Sequence, residues 1–335
     1  YKLFLSITYA LRLTRIACFL TNKIAFIFYQ IVFKINLHFF SFLCYYSRML
    51  SYQHSYHAGN HADILKHFVL SYVMEYLNKK EKPYTFFDTH SASGVFDLLD
   101  NKSLKTSEAQ NGILKLINQN DLPQQLDVYL KVVKENLKNN IYFGSPKIEE
   151  FFVRQQDTLI LSELHPTEFQ NLKNNFHKTS KNVQIHNRNG WEMIKALTPP
   201  KTKRGAVLID PSYEQKEDYE IAAKTISFIN KKWSNGIILL WYPLLKYRQD
   251  DINLMIQSIC NDVKENNQNT EIVNLQLCIA DKDSHTEVEL AENAEVNKIP
   301  RLYGSGMLVI NAPYLLKENT EPVIKYLESI LKMES

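Results

Sequence analysis

The chain has 335 residues, of which 45% are apolar and 22% charged, and this composition excludes a wholly disordered or collagen-like protein. The formal net charge is +3, but residues 1–48 carry six basic residues and no acidic one, so the rest of the chain carries −3. Global charge therefore gives no argument for nucleic-acid binding, which must depend on a local site. The four cysteines have no C-x-x-C spacing, which excludes zinc ribbons and redox dithiols and favours a reducing cytoplasm.

Residues 1–48 form a basic, aromatic-rich leader that begins with Tyr1 rather than methionine. Its apolar runs are interrupted by Lys23 and Lys34, so a clean membrane span is missing. Three interpretations are open: a mis-extended reading frame with the true start at Met49, a basic amphipathic membrane segment, or a soluble helix. The first is preferred, and residues 49–335 are then the functional body.

The body opens with a helical pattern over 60–80, followed by the short apolar run 84–88, which predicts a buried strand. The segment 95–143 predicts a helical insertion, with helices over 108–118 and 123–138 and no strand between them. After Pro146 another helix begins. From there strands and helices alternate. Strands are predicted at 158–163, 182–187, 205–210 and 236–241, and helices at 166–177, 190–198, 217–231 and 246–264.

Alternation of this kind predicts an α/β fold with an open, mostly parallel sheet and helices on both faces. Two late strands, 271–280 and 306–312, have no helix between them, so we expect that pair to be antiparallel. Ligands of such sheets bind at the carboxyl ends of the strands. Polar residues follow four of the predicted strands there: Asp88, Glu163, Asn189 with Gly190, and Asp210.

The tetrapeptide Asp210-Pro211-Ser212-Tyr213 follows the strand 205–210. A carboxylate and a backbone carbonyl can accept both N–H groups of an exocyclic amine on a base, and an aromatic ring can stack on that base. An Asp-Pro turn after a strand is a common structural element, and on the tetrapeptide alone this structural role is preferred.

Three other features have comparable alternatives. The loop Ser91–Gly94 is a glycine-poor version of a cofactor cradle, and in isolation an ordinary turn is the preferred interpretation. Glu163 can accept both hydroxyls of a ribose, or cap the helix that starts at Pro166. A cluster of four histidines could bind a metal, although no cysteine or carboxylate completes such a site, and contacts to phosphate and base or a solvated helix entry are preferred. These histidines are His54, His57, His61 and His67.

Taken together, the motifs resemble the bacterial 23S rRNA adenine-N6 methyltransferases of the J type. The shared segments, in order, are SYQHSYHAGNHADILKH (51–67), FFDTHSASG (86–94), GSP (144–146), SELHP (162–166), LIDPSY (208–213) and WYP (241–243). The similarity runs from Met49 to about residue 330. It implies a class I, Rossmann-like fold that uses S-adenosylmethionine, and a 23S rRNA substrate.

The resemblance also implies roles for individual residues. Asp210 is the expected catalytic carboxylate, acting with the Pro211 carbonyl and Tyr213. Tyr52 is expected to contact the RNA, and Lys66, also expected among the RNA-binding residues, is expected to lie beside the active site. No metal and no stable protein partner is implied, and we expect a cytoplasmic monomer that meets a membrane only if the leader is real. The expected cofactor residues are His67, His90, Ser145, Glu163, Asn189, Gly190 and Asp210.

The chain departs from the family pattern in three places. The family has proline at the position of Ser212 and aspartate at the position of Asn189. The family's cofactor loop also contains more glycine than the loop 91–94 of this chain. The expected function is methylation of the N6 amine of one adenine in 23S rRNA. The alternatives are an RNA-binding protein that has lost catalysis and a DNA adenine-N6 methyltransferase.

Overall fold

A computed structural model describes residues 54–282 and 302–332. The leader 1–48 and Tyr52 lie outside the described residues, so the expectations placed on them are untested. In the two described ranges, no helix is long and apolar enough to cross a membrane.

Seven strands of the described chain form one sheet in the order β5-β4-β1-β6-β7-β9-β8. The contacts between β5, β4, β1, β6 and β7 are parallel, while β9 runs antiparallel to both β7 and β8. The expected mostly parallel sheet with an antiparallel last pair is confirmed. The strands are β1 (Thr85–Asp88), β2 (Val95–Asp97), β3 (Ile141–Phe143), β4 (Thr158–Ser162), β5 (Val183–His186), β6 (Gly205–Ile209), β7 (Ile237–Leu244), β8 (Ile272–Cys278) and β9 (Gly304–Ile310).

Helices cover both faces of this sheet. In chain order they are α1 (His61–Asn78), α2 (Asn101–Thr106), α3 (Glu108–Asn111), α4 (Ile113–Ile117), α5 (Asp127–Leu137), α6 (Ser145–Phe152), α7 (Pro166–Phe176), α8 (Gly190–Leu197), α9 (Glu217–Lys232), α10 (Gln249–Asn266) and α11 (Leu316–Leu331).

The central strands are apolar at consecutive positions because both of their faces are buried. In β1, Phe86 belongs to the core that also contains residues of α1, α5 and α11, whereas Phe87 belongs to the core that contains residues of α8, α9 and α10. Leu208 and Ile209 of β6 divide between the same two cores. By contrast, β8 alternates buried and exposed residues, as expected of an edge strand that is covered on one face.

The structure differs from the expected elements in three places. The helix predicted over 108–118 is divided at Gly112, where the Gly59 backbone approaches closely. The Gly59 carbonyl oxygen accepts the Ile113 N–H at 2.8 Å, and it would lie only 2.1 Å from a Cβ at position 112. The insertion 95–143 holds α2–α5 between β2 and β3, which form a two-stranded antiparallel sheet that was not expected. Helix α11 was not expected either.

Candidate active site

The carboxyl ends of the central strands form one edge of the sheet, and the polar residues predicted there lie along it. Asp88 is paired in register with Leu161 of β4 and with Leu208 of β6. Glu163 follows β4 directly, Asp210 follows β6 directly, and Asn189 lies three residues beyond the end of β5. The register thus brings these four side chains to the same edge, at the position where open α/β sheets bind their ligands.

Lys66 of α1 holds Asp210 by an ion pair that links the first described helix to the end of β6. Its Nζ lies 2.6 Å from Asp210 Oδ2 and 2.9 Å from Asp63 Oδ1, and the lysine side chain is 5% exposed. Burial acts to lower the pKa of Lys66, but the carboxylates of Asp210 and Asp63 outweigh it and raise that pKa. The lysine is therefore cationic, and it fixes one oxygen of Asp210.

Asp63 is the anchor of this pair. Its Oδ2 accepts the Gly59 N–H at 2.9 Å and lies 3.0 Å from His54 Nε2, and its own N–H donates to the side chain of Asn60, which caps the start of α1. Burial acts to raise the pKa of Asp63, but His54 and Lys66 hold it well below its usual range. Since Asp63 is ionised and buried, it keeps the Lys66 ammonium in one place.

Glu163 is held by two backbone donors. Its Oε2 accepts the Ala92 N–H at 2.8 Å, and its Oε1 accepts the His165 N–H at 2.6 Å. Burial raises the pKa of Glu163 to about 7, although both hydrogen bonds act in the opposite direction. Each carboxylate oxygen has a second lone pair, so the group can accept two further donors from a ligand.

Asn189 and Gly190 bring the start of α8 against the loop that follows β1. Asn189 Oδ1 accepts the N–H groups of Trp191 and Glu192 at 2.9 and 3.3 Å and so caps the helix. A Cβ on Gly190 would lie 2.0 Å from the Thr89 carbonyl oxygen, so only glycine permits this close approach. Asn189 is one of the expected cofactor residues, and in the structure its side-chain oxygen caps α8.

His90 and Ser145 are organised around the loop after β1 and the carboxylate of Asp88. The His90 ring lies edge-on to Trp191 with centroids 5.1 Å apart, and burial lowers its pKa to about 4. Ser145 Oγ donates to Asp88 Oδ2 at 2.8 Å, and the His90 N–H donates to Oδ1 at 3.0 Å. Burial raises the pKa of Asp88 to about 6, against the effect of these two donors.

The tetrapeptide after β6 directs Tyr213 inwards. This residue has φ +50°, its ring is 5% exposed, and its hydroxyl donates to the Trp241 carbonyl at 3.0 Å. Its ring centroid lies 4.6 Å from that of Tyr219. In this conformation the ring is covered, so stacking on a base requires the Tyr213 side chain to leave its contact with Tyr219.

A family model described as "Ribosomal RNA large subunit methyltransferase D, RlmJ" matches residues 81–335. The chain belongs to this family. The resemblance drawn from the motifs is thereby confirmed.

Curated relatives from two bacteria support the assignment. The Ribosomal RNA large subunit methyltransferase J of Haemophilus influenzae is 37% identical over 290 residues, which cover 85% of this chain and 95% of that protein. The protein of the same name from Escherichia coli is 36% identical over 286 residues, covering 84% and 94%. A crystal structure of a Legionella pneumophila protein has a TM-score of 0.66 at 30% identity and covers 82% of this chain and 94% of that one.

Two of the residues carried over from the family are buried. Lys66, expected beside the active site and among the RNA-binding residues, lies between the carboxylates of Asp63 and Asp210. His67, expected at the cofactor, is fully buried, and its Nδ1 is 2.7 Å from the Tyr142 hydroxyl.

The clustered histidines have separate partners. His54 contacts Asp63, and His57 Nδ1 lies 2.9 Å from Glu108 Oε1. In residues 54–282 and 302–332, no group of three or more His, Cys, Asp or Glu side chains is arranged to hold a metal ion.

Sequence reasoning missed two acidic residues of the site. Asp63 lies one helical turn before Lys66, and this spacing is the signal that could have found it. Glu149 of α6 is fully buried, and neither carboxyl oxygen has a hydrogen-bond partner among the described residues. Burial and the nearby Asp88 raise the pKa of Glu149 well above its usual range. No local pattern in α6 marks Glu149 as buried.

Proposed function

We propose that this chain transfers the methyl group of S-adenosylmethionine to the N6 amine of an adenine in 23S rRNA. The observation that carries the proposal is the Lys66–Asp210 ion pair at the carboxyl edge of the sheet. Glu163 lies at the same edge. The relatives named for methylation of large-subunit ribosomal RNA match almost their whole length to this chain.

The residues along the sheet edge fit the cofactor. Glu163 keeps two acceptor positions for the hydroxyls of a ribose, as the acidic residue does in dinucleotide folds. Gly190 holds the start of α8 against the loop after β1, and His90 and Ser145 lie beside Asp88. When bound, the cofactor supplies an electrophilic methyl group on a sulfonium.

Asp210 orients the amine. Its Oδ2 is held by Lys66, and its Oδ1 makes no hydrogen bond to the described residues, so Oδ1 can accept one N–H of the amine. The Pro211 carbonyl accepts the second N–H. Together they favour the pyramidal amine, whose lone pair is no longer delocalised into the base. Asp210 Oδ1 would take up the proton that the amine nitrogen releases on methylation, while Lys66 keeps Oδ2 in place.

In this proposal the N-terminal segment of the body, residues 49–335, contacts the RNA. Tyr52 is the expected RNA contact, and Lys66 acts from its buried position by fixing Asp210. Tyr213 stacks on the base after leaving its contact with Tyr219. The enzyme works as a cytoplasmic monomer without a stable protein partner.

The test is methylation of purified 23S rRNA with labelled S-adenosylmethionine, followed by digestion to nucleosides and chromatography. We expect one equivalent of N6-methyladenosine per rRNA molecule with the wild-type chain. Asp210→Asn should abolish the product and leave cofactor binding unchanged, because the carboxylate contacts the amine and not the sulfonium.

A matched control is Asp250→Asn, which removes an exposed carboxylate near the start of α10. We expect this variant to keep the wild-type rate. Methylation of DNA instead of rRNA, or cofactor binding without any methyl transfer, would contradict the proposal.

A further inference from the structure

Three buried aromatic side chains form a hydrogen-bonded chain between the insertion and α1. The hydroxyl of Tyr129 in α5 lies 3.0 Å from that of Tyr142 in β3, and the Tyr142 hydroxyl lies 2.7 Å from His67 Nδ1 in α1. All three side chains are fully buried. The chain therefore joins two elements of the insertion to the helix that carries Asp63 and Lys66.

The direction of the hydrogen bonds follows from the position of Asp63. Burial lowers the pKa of His67 to about 3, so the ring is neutral and carries one proton. His67 Nε2 lies 3.8 Å from Asp63 Oδ1. A ring lone pair directed at a carboxylate is repulsive, so the proton belongs on Nε2 and Nδ1 is an acceptor. Tyr142 then donates to Nδ1, and Tyr129 donates to the Tyr142 oxygen.

The same series of contacts continues to the reacting carboxylate. Asp63 Oδ1, which faces the His67 ring, also lies 2.9 Å from Lys66 Nζ, and Nζ lies 2.6 Å from Asp210 Oδ2. His67 is therefore adjacent to the group that fixes the lysine. In a buried network of this kind each partner restricts the orientation of the next, so a change at one end reaches the other.

We propose that Tyr142 and Tyr129 are positioning residues, through which the insertion 95–143 orients the catalytic Asp210 by way of His67, Asp63 and Lys66. This inference rests on the proposed function, because it assigns Asp210 to the target amine. It gives the insertion a role in the chemical step, in addition to its packing.

The decisive variant is Tyr142→Phe, which removes one hydroxyl and keeps the buried ring. We expect the single-turnover methylation rate at saturating cofactor and RNA to fall about tenfold, since small displacements of a positioned group are costly in rate. The cofactor Kd, measured by calorimetry, should stay within about twofold of wild type, because the change alters orientation and not a ligand contact.

Tyr84→Phe is the matched control. Tyr84 is also a buried tyrosine, and its hydroxyl makes a 3.4 Å hydrogen bond to the Phe152 carbonyl, outside the chain of contacts. We expect its rate to stay within about twofold of wild type, whatever its melting temperature. A Tyr142→Phe rate within about twofold of wild type would overturn the inference, as would equal losses in both variants.

A double-variant cycle with Asp63→Asn tests the pathway. If Tyr142 acts through Asp63, adding Tyr142→Phe to Asp63→Asn should slow the enzyme no further, whereas independent effects would multiply. Tyr129→Phe provides a milder test if Asp63→Asn does not fold, with an expected loss of about threefold for the outer hydroxyl. Multiplicative effects, or a Tyr129→Phe enzyme as fast as wild type, would refute the pathway.

Two further outcomes separate this inference from its assumptions. A cofactor Kd weakened by Tyr142→Phe would assign the hydrogen-bonded series to cofactor binding, through the contact expected for His67, and would overturn the positioning role. Absence of methyl transfer by the wild-type chain would refute the proposed function itself, and this inference with it.

Discussion

The raised pKa of Glu163 predicts how the affinity for the cofactor depends on pH. Burial raises the pKa of this carboxyl to about 7 in the ligand-free site. Ribose hydroxyls that donate to the carboxylate stabilise its ionised form, so the pKa must fall when the cofactor binds. The cofactor therefore binds most tightly above pH 7. Its affinity falls as the pH drops below 7, because Glu163 must then lose a proton before the cofactor binds.

The size of the effect follows from this pKa. A group with a pKa of about 7 is roughly 90% ionised at pH 8 and roughly 10% ionised at pH 6. The cofactor Kd should therefore rise about tenfold between pH 8 and pH 6. Asp88, whose pKa burial raises to about 6, adds to the loss only near and below pH 6.

Calorimetric titration of wild type and Glu163→Gln across this pH range is the assay. The amide does not titrate, so the variant should lose the pH dependence that Glu163 contributes. It should also bind about 2 kcal/mol more weakly at pH 8, because one charged acceptor is replaced by a donor that faces a backbone N–H.

Glu192→Gln is the control for Glu163→Gln. Its side chain is 63% exposed in the first turn of α8, and the substitution should leave the wild-type curve unchanged. A wild-type Kd that is constant between pH 6 and 8, or the same pH dependence in Glu163→Gln, would refute the reasoning.

Three further substitutions test the loops around the site. Gly190→Ala should destabilise the fold by about 1–3 kcal/mol in urea titration, because its Cβ would lie 2.0 Å from the Thr89 oxygen; an unchanged midpoint would contradict this. Ala92→Gly should stabilise by about 0.5–1 kcal/mol, because Ala92 has φ +47°, and a lower midpoint would contradict the strain. Ser212→Pro should raise the single-turnover rate by fixing φ near −65°. The Ser212 N–H makes no hydrogen bond to the described residues, and a slower enzyme with an unchanged Tm would show that serine already aims the turn correctly.

The sheet was predictable because its signals are local. Runs such as 205–210 are apolar on both strand faces and end in a polar residue. Each run therefore predicts a buried strand and the position of its carboxyl end. The two strands β2 and β3 were not predictable, because each has three residues and one of them ends in the exposed Asp97. In α11, Pro322 lies inside the helix and argues locally against a continuous one.

The candidate site was only partly predictable for a related reason. Strand-end carboxylates are local features, but the contact between Lys66 and Asp210 joins residues 144 positions apart. The contact between His67 and Tyr142 joins residues 75 positions apart. A single sequence contains no signal for such pairs. The family resemblance placed Lys66 beside the active site and among the RNA-binding residues, and its buried contact with Asp210 became visible only in the fold.

The carboxyl groups of the site fall into two electrostatic classes. Beside Lys66, Asp63 is held ionised, with its pKa well below the usual range. Along the cofactor side, burial raises the pKa of Asp88 to about 6 and that of Glu163 to about 7. In the proposed function the sulfonium of the cofactor enters this side and favours the ionised form of both groups, so we expect binding to release protons and to strengthen as the pH rises. Lys66 compensates the charge of Asp63 and Asp210, and in the proposed function the cofactor compensates the charge of Asp88 and Glu163, so that both pairs of carboxyls can be ionised at one buried edge of the sheet.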